Sequence, residues 1–380
     1  MLDWIKTQAV IMEELVTNWG NHNTHTYNLE GLFTQQKALQ NAFKILNPST
    51  TVIPTEDPKL GNILVFKKRK KADTQLFLMG HYDTVYPKET GFTKVEKLGE
   101  NTLKGPGVTD MKGGIVILLK ALEAFEKATE SKHIGWTVVL TPDEEIGSPG
   151  SKEVFLNEAK GSSVGLVFEP TLPNGNLVSA RVGSSNIEIS VTGKSAHAGR
   201  AFKDGRSAIH AIADWIVACR KTLPDGTIFN VGTIQGGTGT NTVAPHANCT
   251  VNVRSNDATK LNNTIEVMKE TAETLSKDGL DISVDIKTLR PPKPFTPETE
   301  TLFHQLKACA NQLDLELNWE ASGGVCDGND ISALGIPTID TLGAIGKDIH
   351  TPNETLHLPS LVEKTMLTFI LLQSLNTPKE

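Results

Sequence analysis

Several short apolar runs in this chain end at residues that can bind a metal ion. QLFLMG is followed by His81 and Asp83, WTVVLTPD by Glu144 and Glu145, and VGLVF by Glu169. Continuous apolar runs that alternate with helical patterns are typical of strands buried on both faces of a mainly parallel sheet. Because ligands bind beyond the carboxyl ends of such strands, we expect these side chains to converge.

Two more residues extend the set: Asp110, in GPGVTDMKGG ahead of a helical pattern, and His350, shortly after PTIDTLG. Two histidines with several carboxylates and no thiolate are typical of a hydrolytic two-metal site. Taken singly, Asp110 also suits a helix N-cap, the acidic pair a solvated turn, and His350 a surface loop. Their combination at successive strand ends favours the metal site.

Bulk composition narrows the class of protein. A chain of 380 residues exceeds what one hydrophobic core usually serves, so two domains are expected. The net charge of −7 argues against binding to nucleic acid or to an anionic membrane surface. No apolar run is long enough to span a bilayer, and the amino-terminal residues lack the features of a signal peptide. Four scattered cysteines without a CxxC pair predict neither a disulfide frame nor a thiolate zinc site, so a reducing cytoplasm is expected.

The patterning predicts an α/β fold in which one domain is inserted into another. Residues 1–180 and 290–380 are expected to form a mixed, mainly parallel sheet flanked by helices. Residues 181–289 read as strand, helix, strand, strand, helix, strand, which is typical of an α+β sandwich on an antiparallel sheet. The basic run at 67–71 lies between two predicted strands and is expected to be a solvated hairpin loop.

Five motifs together resemble the signature set of a dinuclear zinc peptidase/amidohydrolase family. They are HYDTV, GPGVTDMKGG, TPDEEIGS, FEP and IHTPNE. That family includes carboxypeptidase G-type glutamate carboxypeptidases, acetylornithine and succinyl-diaminopimelate deacylases, and aminoacylases. The resemblance covers nearly the whole chain. It implies a zinc-exopeptidase-type fold that binds two zinc ions per subunit, with cobalt or manganese as substitutes. The wording of the motifs is closest to the glutamate carboxypeptidase branch.

The resemblance also implies roles for the metal-site residues. Asp110 would bridge the two zinc ions, with Glu145 and His350 completing one site and His81 and Glu169 the other. It implies a cis peptide bond after Asp110.

Two further residues receive catalytic roles. Glu144 would be the general base that takes a proton from water and passes it to the leaving amine. Asp83 would hold the other ring nitrogen of His81, as carboxylates near metal-bound histidines commonly do.

The inserted domain supplies candidates for substrate recognition, mainly on the resemblance. His197 in GKSAHAG would donate to the oxyanion, contributed by the partner subunit of a homodimer that forms through this domain. Arg254 would bind a substrate carboxylate, with Asn241 nearby, and Gly323 and Gly324 would form a pocket loop. The plain alternatives are a loop histidine at 197 and an exposed strand-end charge at 254.

Three functions stay open. The first is a zinc-dependent hydrolase that releases a C-terminal amino acid with a free carboxylate from a small peptide, as glutamate carboxypeptidases do. The second is a deacylase of N-acyl amino acids that uses the same site. The third is a non-catalytic zinc-binding scaffold, against which stands the presence of every ligand and of Glu144.

Overall fold

The structure of the protein is a computed structural model that describes residues 1–128 and 133–376. The helices are α1 (Leu2–Thr7), α2 (Ala9–Gly20), α3 (Leu29–Phe43), α4 (Gly114–Ala128), α5 (Lys152–Ala159), α6 (Ala208–Thr222), α7 (Ala258–Leu275), α8 (Pro297–Asn311), α9 (Asp327–Ser332) and α10 (Pro359–Leu375). The strands are β1 (Ser49–Pro54), β2 (Asn62–Lys68), β3 (Thr74–His81), β4 (Glu96–Lys97), β5 (Thr102–Lys104), β6 (Ile134–Thr141), β7 (Val164–Val167), β8 (Leu177–Arg181), β9 (Gly183–Thr192), β10 (Ile228–Gly236), β11 (His246–Ser255), β12 (Asp281–Arg290), β13 (Trp319–Ser322), β14 (Thr338–Ile339), β15 (Gly346–Lys347) and β16 (Thr355–His357).

The largest sheet has six strands in the order β1-β2-β6-β3-β7-β14. β6, β3, β7 and β14 run parallel, whereas β2 pairs antiparallel with β6 and β1 antiparallel with β2. His81 at the end of β3 lies opposite Thr141 at the end of β6, and Met79 lies opposite Val167 at the end of β7. The carboxyl ends of three neighbouring strands therefore meet at one edge. This confirms the predicted mixed, mainly parallel sheet.

Both faces of this sheet are buried, which explains why its strands are continuous apolar runs. Leu76 and Leu78 of β3 pack into the larger core, which also contains the buried faces of α4 and α10. Phe77 and Met79 point to the other face and pack into a second core with Phe155 of α5. The strands are thus held from both sides, and the residues at their ends sit on a rigid backbone.

A second sheet is antiparallel, with the strand order β10-β11-β9-β12. α6 and α7 supply the core of this unit, in which Trp215 and Met268 are fully buried with Ile189 and Val251 of the sheet. The Trp215 indole donates to the Met268 carbonyl at 3.1 Å and ties the two helices together. The chain order β9, α6, β10, β11, α7, β12 matches the predicted α+β pattern.

The chain divides into two compact units. The first contains residues 1–180, 295–322 and those from 326 onward, and the second contains 181–294 with 323–325. The bounds predicted from the sequence place residues 290–294 and 323–325 in the larger domain. Residues 290–294 belong with the insertion because Arg181 and Lys293 exchange two backbone hydrogen bonds, of 2.9 and 3.0 Å, where the chain enters and leaves it.

The basic run at 67–71 does not form the predicted hairpin loop. β6 lies between β2 and β3 in the sheet, so the run connects two strands that are not neighbours. Lys67 forms an ion pair with Glu158, and Lys68 and Arg69 form ion pairs with Glu126. These ion pairs connect the basic run to α4 and α5.

Two other expectations concern the whole chain. No helix in residues 1–128 or 133–376 has the length and apolarity that crossing a bilayer requires. The four cysteines, all within those residues, are buried and form no disulfide.

An ion-pair network around Glu126 lies at the amino-terminal end of β6. The Glu126 carboxylate accepts hydrogen bonds from Arg69 at 2.6 and 3.0 Å and from the Trp136 indole at 2.9 Å, and it pairs with Lys68 at 2.9 Å. Burial alone would raise the pKa of Glu126, but these partners outweigh burial and lower the pKa from 4.5 to about 2. Since the pKa is lower in the folded chain, the stabilisation is complete above pH 4.5 and is lost as the pH falls towards 2.

We expect Glu126→Gln to lower the free energy of unfolding of the first unit by about 2 kcal/mol at pH 7, because it removes a charged acceptor from a half-buried network. The difference from wild type should shrink between pH 4.5 and pH 3. Urea unfolding followed by circular dichroism at pH 7, 5 and 3 measures both effects. Glu298→Gln, exposed in the first turn of α8, is the control. A difference that stays constant with pH would contradict the lowered pKa.

Candidate metal centre

Three neighbouring strands place side chains at one edge of the large sheet. His81 is the last residue of β3, Glu144 and Glu145 begin a short 3₁₀ turn after β6, and Glu169 lies two residues beyond the end of β7. The polar residues that follow the apolar runs of the sequence therefore lie at the same edge.

Asp110 lies in an irregular turn, Val108–Gly113, immediately before α4. Its backbone is not helical (φ −110°, ψ 93°), and the Asp110–Met111 peptide bond is cis, as the resemblance implied. The carboxylate reaches two histidines from different parts of the chain, an arrangement that capping of α4 does not account for.

One ligand group, called here the His81 group, contains His81, Asp110 and Glu169. The Nε2 atom of His81 lies 3.1 Å from Oδ1 of Asp110 and 3.9 Å from Oε2 of Glu169. The three side chains offer ligand atoms that all lie within 4.8 Å of one another, and all three residues are buried. They can therefore surround one cation.

A second group, called here the His350 group, contains Asp110, Glu145 and His350. The Nε2 atom of His350 lies 3.2 Å from Oδ2 of Asp110 and 3.2 Å from Oε2 of Glu145. The His350 backbone has φ of +62°, a left-handed conformation that is uncommon outside glycine and that concentrates at functional sites. Asp110 thus directs one oxygen to each group and is shared between them.

The pKa values of these groups reflect crowded carboxylates. Burial raises the pKa of Glu145 above its usual range, and the negative charge of Asp110 raises it further. The pKa of Asp110 is lowered because hydrogen bonds to His350 and His81 outweigh its burial. Burial lowers the pKa of His81, but hydrogen bonds to Asp110 and Asp83 outweigh burial and raise it. Hydrogen bonds to Asp110 and Glu145 raise the pKa of His350 to about 11. A bound cation would relieve the repulsion between the carboxylates.

Asp83 fixes the orientation of the His81 ring. The Nδ1 atom of His81 lies 3.3 Å from Oδ1 of Asp83 and 3.2 Å from its carbonyl oxygen. The other carboxylate oxygen of Asp83 accepts the Thr26 hydroxyl at 2.7 Å. With Nδ1 held in this way, Nε2 is the ring atom that faces the His81 group, as is usual for metal-binding histidines.

Asp83 also fixes the start of the acidic turn. The backbone N–H groups of Glu144 and Glu145 donate to its two oxygens at 3.2 and 3.3 Å. The Glu145 carboxylate then belongs to the His350 group, whereas Glu144 belongs to neither group. The adjacent acids therefore occupy different positions.

Sequence reasoning missed three buried residues around this site: Thr26, Lys112 and Glu354. Lys112 donates to the His22 carbonyl at 3.1 Å, and burial lowers its pKa to about 7. Glu354 accepts backbone hydrogen bonds from the Asp110 loop. Its place in IHTPNE, four residues after His350, was a signal for it, whereas nothing local in the sequence indicates Thr26.

His197 and Asn241 lie side by side in the second unit. The backbone at His197 pairs with Thr242, and the Ala198 N–H donates to the Asn241 carbonyl at 2.9 Å. The Gly199 N–H donates to Nδ1 of His197 at 3.1 Å, which leaves the proton of a neutral imidazole on Nε2. The side chains of His197 and Asn241 are exposed.

Arg254 and the predicted pocket loop also meet in the second unit. The Arg254 guanidinium donates from Nε to the Asn252 side chain at 2.9 Å and from Nη1 to the Gly323 carbonyl. The Gly324 carbonyl accepts from Arg181 at 3.4 Å. A Cβ at Gly323 would meet no atom within 4 Å, so this glycine borders open space.

The donor set of the two ligand groups fits a pair of divalent metal ions. Imidazole nitrogens and carboxylate oxygens suit zinc, and cobalt or manganese accept the same ligands. A shared carboxylate with one oxygen towards each group is compatible with two neighbouring metal ions.

Comparisons with known proteins show the family of the chain. Residues 77–373 match Peptidase family M20/M25/M40. The chain is 26% identical to carboxypeptidase G2 of Pseudomonas sp. (strain RS-16) over 348 residues, which cover 90% of this chain and 82% of that protein. It is 29% identical to a succinyl-diaminopimelate desuccinylase of Colwellia psychrerythraea over 283 residues, or 69% of each protein.

Solved structures share the fold. An M20 family metallo-carboxypeptidase from Sulfolobus solfataricus superposes with a TM-score of 0.77 at 14% identity, over 96% of this chain and 99% of that chain. A tripeptidase from Staphylococcus aureus also gives 0.77, at 24% identity over 96% of this chain and 98% of that one. The match over most of the chain means that it belongs to Peptidase family M20/M25/M40, generally metal-dependent enzymes, and is a hydrolase acting on peptide or amide bonds.

Proposed function

We propose that the chain is a zinc-dependent hydrolase that cleaves an amide bond and releases a C-terminal amino acid with a free carboxylate, glutamate being the preferred class. The observation that carries the proposal is the Asp110 carboxylate, whose two oxygens face two separate ligand groups. The similarity to carboxypeptidase G2 over 90% of the chain supports the carboxypeptidase reaction.

The second candidate is a deacylase of N-acyl amino acids, favoured by the similarity to a succinyl-diaminopimelate desuccinylase. Both reactions attack an amide carbonyl and use the same metal centre. In both, the amide nitrogen belongs to an amino acid with a free carboxylate. The reactions differ in the acyl group, which is a peptidyl group in the first and a simple acyl group in the second.

Two zinc ions would be held by the His81 group and the His350 group, with Asp110 shared. When bound, the pair would polarise the amide carbonyl and lower the pKa of water towards about 7. The neighbouring residues keep the ligands in place: Asp83 holds the Nδ1 side of His81 and the backbone of Glu145.

Glu144 is assigned as the general base. It lies next to the ligand Glu145, in a turn whose first N–H groups Asp83 fixes, and its own carboxylate belongs to neither ligand group. Its carboxylate would take a proton from the attacking water and deliver it to the nitrogen of the leaving amine. Glu144 thus both accepts and donates the proton, and no covalent enzyme intermediate is needed.

The second unit is assigned the recognition of the substrate. Arg254, with Nε and Nη1 already oriented by Asn252 and Gly323, would present its guanidinium to the free carboxylate. Nε2 of His197 would donate to the oxyanion, across a homodimer as the resemblance implies. Asn241, whose backbone pairs with the residue after His197, would contact the substrate beside it.

The metal assignment predicts that Asp110→Ala loses both metal ions, because each ligand group loses one of its oxygens. Glu169→Ala should lose mainly the ion of the His81 group. Metal content after dialysis, measured by plasma emission spectroscopy, distinguishes these outcomes, and circular dichroism checks the fold. Asp57→Ala, in an exposed loop before β2, is the control. Wild-type metal content in Asp110→Ala would contradict the shared-ligand assignment.

The base assignment predicts that Glu144→Gln lowers kcat by about 10²–10⁴-fold, because glutamine cannot accept the water proton. Metal content should stay at the wild-type level, since Glu144 is not a ligand. Steady-state kinetics and metal analysis of the same sample test both points. Glu153→Gln, in the first turn of α5, is a matched control with wild-type kcat. Hydrolysis at the wild-type rate by Glu144→Gln would reject the mechanism.

The recognition assignment predicts that Arg254→Ala raises KM for a peptidyl-glutamate by about 10–100-fold, the loss expected for one charged hydrogen bond. The same substrate with its carboxylate amidated should be hydrolysed poorly and equally by both proteins. Arg220→Ala, exposed at the end of α6, is the control. A panel of peptidyl- and folyl-glutamates against N-acetyl amino acids separates the two candidate reactions. Activity on the N-acetyl amino acids alone would favour the deacylase.

A further inference from the structure

The loop that carries Asp110 is docked onto one buried carboxylate. Glu354 is fully buried, and its Oε1 atom accepts the N–H groups of Thr109 at 2.8 Å and Asp110 at 3.0 Å. Its Oε2 atom accepts the N–H of Gly107 at 3.0 Å. Three N–H groups of one short loop thus converge on a single side chain, and one of them belongs to Asp110 itself.

The backbone of Glu354 is tied to the segment that carries His350. The Glu354 N–H donates to the Thr351 carbonyl at 3.1 Å, closing the turn that follows His350. The Tyr86 hydroxyl donates to the same carbonyl at 3.1 Å. Glu354 therefore joins the loop that carries Asp110 to the turn that follows His350. Asp110 and His350 are two of the three members of the His350 group.

Lys112 holds the opposite side of the same loop. It is fully buried, and its ammonium group lies 3.4 Å from the Pro106 carbonyl, while its backbone N–H donates to the Gly107 carbonyl at 2.9 Å. The peptide group between Pro106 and Gly107 is therefore held by Lys112 at its oxygen and by Glu354 at its nitrogen. The loop has little freedom to turn the Asp110 side chain away.

The His81 group is held differently. His81 ends β3 and Glu169 follows β7, so the sheet positions both of them, and Asp83 additionally holds the His81 ring. Loss of the Glu354 contacts would loosen Asp110 and His350 in the His350 group. In the His81 group it would loosen only the shared Asp110. This difference separates a positioning role from a general contribution to stability.

Building on the proposed metal centre, we propose that Glu354 is a positioning residue that sets Asp110 and His350 at the correct separation to bind the metal ion of the His350 group. Outer partners of metal ligands commonly account for about 10–100-fold in affinity. We therefore expect Glu354→Ala to weaken binding of one of two zinc ions by about this factor and to leave the other near its wild-type affinity.

The measurement is a titration of metal-free full-length protein with zinc ions against a competing chromophoric chelator, which resolves both binding steps. Glu354→Gln should lose less affinity than Glu354→Ala, because its amide oxygen can still accept from Thr109 and Asp110. It also keeps the experiment informative if the alanine variant does not fold. With the metal sites saturated, kcat and KM should return to the wild-type values.

Glu126→Gln is the control, because it weakens the hydrogen-bond network of a different glutamate, one that is half-buried and lies at the amino-terminal end of β6. Its zinc affinities should equal those of wild type despite lower stability. Equal weakening of both zinc ions in Glu354→Ala, no weakening, or the same loss in Glu126→Gln would overturn the positioning role. A wild-type protein that binds no zinc would instead reject the proposed function, so the two failures are distinguishable.

Discussion

The site depends on one carboxylate that faces two ways. Asp110 directs one oxygen to each ligand group, so the two groups share a centre. Burial raises the pKa of Glu145, and the like charge of Asp110 beside it raises the pKa further. Such a cluster is stable only because histidines and hydrogen bonds offset the charge, and a cation would offset it more completely. The electrostatics and the geometry therefore both favour binding of a cation at this centre.

The sheet and the loops contribute to this centre in different ways. His81 and Glu169 lie at the ends of strands that are packed on both faces, so their positions follow from the core. Asp110 and His350 lie in irregular segments: the backbone of Asp110 is not helical, and that of His350 is left-handed. Irregular backbone needs local hydrogen bonds to keep one conformation. A fold that supplies rigid strand ends still requires dedicated partners for the ligands that loops provide.

Sequence reasoning identified the strand-end residues because continuous apolar runs indicate buried parallel strands, whose carboxyl ends meet. It failed where the answer depends on sheet order: β6 lies between β2 and β3, so the basic run at 67–71 is no hairpin. It also assigned Gly323 to the larger domain, although Arg254, far away in the sequence, holds its carbonyl. Contacts between residues distant in sequence, such as Thr26 with Asp83, carry no local signal at all.

Hydrolysis and selectivity are separate problems in this chain. The ligand groups lie within the first unit, whereas Arg254 and His197 lie in the second. Relatives with different names match 69–90% of the chain, so a shared fold does not by itself choose a substrate. A guanidinium already held at Nε and Nη1 loses less conformational entropy when it binds a carboxylate than a mobile one would. In the proposed recognition of a free carboxylate, Asn252 and Gly323 would therefore contribute by orienting the guanidinium of Arg254.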